Sequence, residues 1–137
     1  MKKGENVNHP KKGSRIKVEP IRDVKDIRAI KKLLDGNPMY SAFFTLGINT
    51  NLRASDLLRI TAGQVRGLKP MDEIELKEKK TGKTRRMTLN KACVEALTRL
   101  LASRRFDDDT PIFQGERGTL TVPSVNRLVK SWCKAIN

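Results

Sequence analysis

The feature that most constrains the fold of this chain is a change of apolar period part-way along it. Up to Ile60 the apolar residues recur at helical spacing. Val24, Ile27, Ile30 and Leu34 fall on one face behind Asp23, whose short side chain suits an N-cap, with Asp26 three positions on. Gly36-Asn37-Pro38 is expected to end that helix. Met39 to Ile48 then places Phe43, Phe44, Leu46 and Ile48 on more than one face, which predicts a helix at the centre of the core. Asn49-Thr50-Asn51 breaks it, and Arg53 to Ile60 predicts a short third helix with Leu57, Leu58 and Ile60 inward.

After Thr61-Ala62-Gly63 the spacing becomes two. Ile74 and Leu76, then Met87 and Leu89, alternate with charged residues as half-buried strands do, and the segment around Thr81-Gly82-Lys83 reads as the loop of a hairpin. Helical spacing then returns. Asn90 predicts a cap for a helix from Lys91 to about Arg104, with Cys93, Leu97, Leu100 and Leu101 on one face. Phe106 to Asp109 reads as a loop. A last helix starting near Pro123 or Ser124 aligns Val125, Leu128, Val129, Trp132 and Ile136. No internal repeat interrupts this order. The pattern predicts an α+β domain, mostly helical, with a small antiparallel β-hairpin sheet. The final helix still carries its apolar period at Asn137, so the domain is expected to extend beyond it.

Composition narrows the partners. The 137 residues are 37% hydrophobic but hold only four Phe, one Tyr and one Trp, so the core must be mainly aliphatic. Lys and Arg number 29 against 15 Asp and Glu, a formal charge of +14. Such an excess repels itself unless a polyanion is near, which favours nucleic acid over a membrane surface. No apolar stretch is long enough to span a membrane, and Met1-Lys2-Lys3-Gly4-Glu5-Asn6 does not begin a signal peptide. A cytoplasmic location in contact with nucleic acid is expected. Residues 1–20 carry six basic side chains against Glu5 and Glu19 and few apolar ones, which predicts a flexible basic arm ahead of a domain over 21–137. Cys93 and Cys133 lie in apolar helical patterns and are expected to be buried. With His9 as the one histidine they make no zinc site, and no metal or cofactor is expected.

Two basic motifs carry the chemistry. Leu52-Arg53-Ala54-Ser55-Asp56 opens the short third helix, and Lys79-Lys80-Thr81-Gly82-Lys83 lies at the hairpin tip. Arginine offers a planar fork for two phosphate oxygens, and lysine a mobile charge that can release a proton. Arg53 with Asp56 also fits an i,i+3 surface ion pair. The run Lys77, Lys79, Lys80, Lys83, Arg85 and Arg86, against Glu78, also fits a solvated strand edge. Gly82-Lys83-Thr84 is no nucleotide-hydrolase loop, because Lys77 stands where its first glycine should be. Asp107-Asp108-Asp109 lacks the alternation of a calcium loop. Tyr40 begins the most apolar helix and reads as a packing residue. Ser55 has no histidine to serve it.

In order, these segments resemble the first half of the catalytic domain of tyrosine recombinases, the phage-integrase family. Gly47-Ile48-Asn49-Thr50-Asn51-Leu52-Arg53-Ala54-Ser55-Asp56-Leu57-Leu58 is similar to the family's TGLR-x-SEL segment, with Asn51 for glycine and Asp56 for glutamate. Lys80 to Leu89 is similar to the hairpin that carries the catalytic lysine. Pro111-Ile112-Phe113 and the helix from Ser124 follow in family order. The resemblance implies that Arg53 is the first of two arginines on the scissile phosphate. It implies Lys80 as general acid toward the leaving 5′ oxygen, with Lys79 and Lys83 as competitors, and Asp56 as the supporting acid. Lys79, Lys83, Arg85 and Arg86 would contact DNA. The implied partner is double-stranded DNA, the implied processes are DNA integration and recombination, and the implied assembly is a synaptic homo-tetramer. The family's chemistry is metal-free: a tyrosine forms a 3′-phosphotyrosyl link. Its His-x-x-Arg motif and nucleophilic tyrosine have no counterpart in these residues, so the chain alone is expected to be inactive. The alternatives are a non-catalytic nucleic-acid-binding module and, less favoured, a basic partner of an acidic protein.

Overall fold

Helix α2 (Pro38–Thr50) forms where the sequence is most apolar and ends up at the centre. The Asn37 side chain accepts from the Tyr40 N–H and Pro38 fills a first-turn position, so Asn37-Pro38 begins this helix as much as it ends the one before. In this computed structural model, residues 23–115 and 117–136 are described. The expected arm over 1–20 lies outside them. Ala42, Phe43, Phe44, Thr45 and Leu46 are all buried, as the all-round apolar pattern requires. Phe43 meets Phe113 edge-on at 5.2 Å, and Phe44 meets Trp132 at 6.2 Å. Tyr40 lies 5.5 Å from Trp132, which is the packing role expected of it.

Around α2 stand α1 (Val24–Leu33), α5 (Lys91–Ser103) and α6 (Val122–Ala135). Asp23 caps α1 and Asn90 caps α5 through their side chains, as the sequence predicts. The capping residue of α6 is Thr121, which accepts from Ser124 N–H and starts that helix slightly earlier than expected. Val24 is 60% exposed and so leaves the core face assigned to it; it is the first residue of the helix. Cys93 is buried, and desolvation pushes its thiol up; Cys133 is only half-buried. Among the described residues no helix is long and apolar enough to cross a membrane.

The expected third helix, Arg53 to Ile60, is shorter than its apolar spacing predicts, and a further short helix follows it. Helix α3 (Ala54–Leu57) stops early because the chain at Ile60 and Thr61 turns away to bond a distant, buried segment. Ile112 N–H donates to the Ile60 carbonyl at 3.0 Å, and Thr61 pairs with Pro111 as an isolated bridge. Thr61 then opens α4 (Ala62–Val65) with a capping box, its partner being Gln64. Arg66 pins the loop that follows α5 by bonding the Asp108 carboxylate at 2.9 Å and the Phe106 carbonyl at 2.8 Å. The acidic run at Asp107 to Asp109 is therefore an anchored connection.

Strands β1 (Glu73–Lys77) and β2 (Thr84–Thr88) pair antiparallel, with Ile74 opposite Met87 and Leu76 opposite Arg85. Ile74, Leu76 and Met87 face the core, in the register that alternation predicts. A second, two-residue hairpin, β3 (Gln114–Gly115) with β4 (Gly118–Thr119), is too short to show in an apolar pattern. The architecture is α+β: helices around one apolar core, with a small antiparallel hairpin at the margin.

Candidate phosphate-binding site

The site is built where α2 ends. Asn51 closes the helix in the left-handed region at φ 59°, a conformation that glycine adopts freely and asparagine tolerates best among other residues. That requirement accounts for Asn51 at a position where the resembling motif carries glycine. Leu52 is buried and fastens the turn, its N–H donating to Thr50 Oγ1 at 3.3 Å. Arg53 follows in extended conformation as the N-cap residue of α3, half-buried, and its carbonyl accepts from the N–H groups of Asp56 and Leu57. Its backbone is thus fixed by the helix it precedes, and its side chain leaves from a helix start.

Asp56, one turn on, is only 3% exposed. It does not pair with Arg53 as the surface reading supposes. Its Oδ1 accepts the Lys79 N–H at 3.2 Å, across 23 residues, and lies 4.0 Å from Arg59 Nη1. The second half of the site is that hairpin tip. Glu78 N–H donates to the Lys83 carbonyl at 2.8 Å, and Gly82 N–H returns to the Glu78 carbonyl at 2.9 Å. Gly82 supplies the left-handed φ of 72° that closes the turn. Lys79, Lys80 and Lys83 all project as exposed side chains from this loop.

One acid organises the tip, and the basic run around it conceals the role. The Thr81 hydroxyl donates to Glu78 Oε1 at 2.8 Å, and Arg85 Nη1 stands 3.5 Å from Oε2. The Thr81 bond holds the Glu78 carboxyl below its ordinary value; desolvation opposes this, and the charges of Arg85 and Arg53 add to the lowering. Arg53, Glu78 and Arg85 therefore belong to one electrostatic neighbourhood. The remaining candidate points elsewhere. Arg86 lies on the opposite face of β2 and is held across the hairpin by Glu75 at 3.0 Å, with Glu73 at 4.0 Å. Arg85 and Arg86, adjacent in sequence, cannot serve the same phosphate. The structure thus gathers Arg53, Asp56, Glu78, Arg85 and the Lys79–Lys83 tip, and sets Arg86 apart.

Among solved structures the fold has a clear match. A structure titled as the crystal structure of XerA recombinase superposes with a TM-score of 0.69 over 91% of this chain, at 18% sequence identity. The chain has the tyrosine-recombinase fold. It spans 44% of the length of that recombinase chain. No protein-family model matches the sequence, and no curated protein does. At 18% identity the likeness speaks for the backbone arrangement.

Proposed function

We propose that this chain is the DNA-binding portion of a tyrosine-recombinase catalytic domain and that its target is the phosphate backbone of duplex DNA. The observation that carries the reading is the bond from Lys79 N–H to buried Asp56. It couples the turn that presents Arg53 to the loop that presents Lys80, two positions otherwise 27 residues apart in the sequence. In this reading Arg53 grips two oxygens of the scissile phosphate through its fork. Lys80, on the hairpin side of the clamp, protonates the leaving 5′ oxygen. Asp56 holds the two together from below. Fixed cations aimed at a phosphoryl group stabilise the extra charge of an in-line transition state. Lys79, Lys83 and Arg85 add backbone contacts around it, and Arg86 contributes on the outer face of the hairpin. Work on DNA fits a cytoplasmic, DNA-associated protein, and strand exchange between two duplexes calls for several copies.

A second reading, binding without cleavage, is favoured for the chain by itself. Its one tyrosine, Tyr40, is packed against Trp132 and is unsuited to attack a phosphate. Both readings share one test. Binding of a fluorescent duplex is measured for the parent chain, for Arg53→Ala and for the triple variant Lys79→Ala/Lys80→Ala/Lys83→Ala. A control of equal charge removes Arg127, Lys130 and Lys134 from the exposed side of α6. The site variants should lose more affinity than the control and flatten the salt dependence by about one unit per lost phosphate contact. Equal losses in site and control variants would place the binding in net charge alone and end the proposal.

A further inference from the structure

A two-stranded hairpin is marginal in water and has two open edges, each with unpaired backbone groups. Along β1 and into the tip, the register and the Glu78–Lys83 bond turn the backbone N–H and C=O groups of Ile74, Leu76 and Glu78 toward β2. Alternation then turns the backbone groups of Glu75, Lys77 and Lys79 the other way, toward α3 and α4. Among the described residues no third strand lies there.

Side chains take its place. Gln64 Nε2 donates to the Glu75 carbonyl at 3.1 Å. Arg59 Nη1 donates to the Lys77 carbonyl, also at 3.1 Å. Lys79 N–H donates to Asp56 Oδ1 at 3.2 Å. The order runs 64, 59, 56 against 75, 77, 79, so the helical segment lies antiparallel to the strand and meets consecutive outward-facing residues. Each rung is itself held. Gln64 uses its oxygen to accept the Thr61 N–H at 2.9 Å, which aims its amide nitrogen at β1. Arg59 is kept beside Asp56 at 4.0 Å.

We infer that Arg59 and Gln64 are positioning residues of the phosphate site: with Asp56 they form a side-chain ladder that fixes the hairpin tip, and hence Lys80, relative to Arg53. The ladder ends at Lys79, one residue before Lys80, and begins in the segment whose first turn is set by the Arg53 carbonyl. Arg59 is thereby removed from the set of DNA contacts, although it is basic and 47% exposed, because its guanidinium is committed to a carbonyl. The functional half of this inference rests on the phosphate-site reading above; the ladder itself does not.

Amide hydrogen exchange on the 137-residue chain tests it, read at Lys79 and Gly82 in the tip and at Leu97 in the core. Arg59→Met keeps the apolar stem but has no donor, and Arg59→Lys restores one. Gln64→Glu keeps the oxygen that caps Thr61 and deletes the rung to Glu75. Arg59→Met should speed exchange at Lys79 about tenfold, the worth of a charge-assisted hydrogen bond, and Gln64→Glu, which loses a neutral one, about fivefold. Leu97 should stay within about twofold, because the opening is local. Arg59→Lys should recover most of the protection. Unchanged exchange at Lys79, or equal acceleration at Leu97, overturns the assignment.

A second arm uses the same fluorescent duplex. Arg59→Met should weaken binding without changing its salt slope, whereas a flattened slope would make Arg59 a phosphate contact and overturn its positioning role. If the parent chain binds no duplex, the phosphate-site reading fails, and with it the functional half of the inference, while the exchange data still report whether the ladder exists.

Discussion

Replacing Asp56 tests the junction on which the site depends. Its carboxylate is 3% exposed and accepts the Lys79 N–H at 3.2 Å. A hydrogen bond to a charged acceptor contributes about 1.5–3 kcal/mol, and the long distance argues for the lower end. The neighbouring Arg59 is 47% exposed and 4.0 Å away, so that pair adds at most about 0.5 kcal/mol. Asp56→Ala should therefore cost about 2 kcal/mol. Asp56→Asn keeps an acceptor oxygen for Lys79 and should cost less than half of that. Urea unfolding followed by Trp132 fluorescence reads both. The midpoint should fall by about 1 M for the alanine variant at unchanged slope. A loss below about 0.5 kcal/mol for Asp56→Ala would refute the reasoning. Equal losses for Ala and Asn would show that charge, and not the bond to Lys79, holds the junction.

Two other outcomes follow from the same geometry. A Cβ added at Gly63 would lie 2.9 Å from the Asp108 backbone oxygen, so Gly63→Ala should lower stability by about 1–2 kcal/mol in thermal unfolding, despite alanine's better helix propensity. An unchanged melting temperature would mean that the Asp108 loop yields freely. The Glu78 carboxyl titrates below its ordinary value of 4.5, so the order it gives the tip is complete above that pH and fades as pH falls through the lowered value. Amide shifts of Thr81 and Gly82 followed from pH 6 to about 3 should show this, and Glu78→Gln should abolish the dependence.

Much of the fold was legible because local signals and burial agree. The apolar stretch at Phe43 to Ile48 did become the central helix, and the alternation at Ile74, Leu76, Met87 and Leu89 did become the hairpin with its core face. The expected helix from Arg53 to Ile60 is present but ends at Leu57 for a non-local reason: the Ile60 carbonyl bonds Ile112, and no pattern near Ile60 announces a partner so far along the chain. Thr61-Ala62-Gly63-Gln64 did contain a readable capping box, hidden by the short helix it starts. At the site, Arg53 and Lys80 stand out by residue type and motif. Glu78 and Arg59 do not, since an acid in a basic run and a basic residue on an exposed turn both look like solvated surface. Their partners, the Lys77 carbonyl for Arg59 and the Thr81 hydroxyl for Glu78, are brought to them only by the folded hairpin.

The central claim is that the Arg53 turn and the Lys79–Lys83 tip together receive a phosphate of duplex DNA. Titrating the isotopically labelled chain with a short duplex and following every backbone amide tests it most directly. The account predicts that the largest shifts fall on Leu52 to Asp56 and Glu78 to Arg85, move together with one affinity, and vanish at high salt. Shifts confined to α1 and α6, with those two segments unmoved, would contradict it.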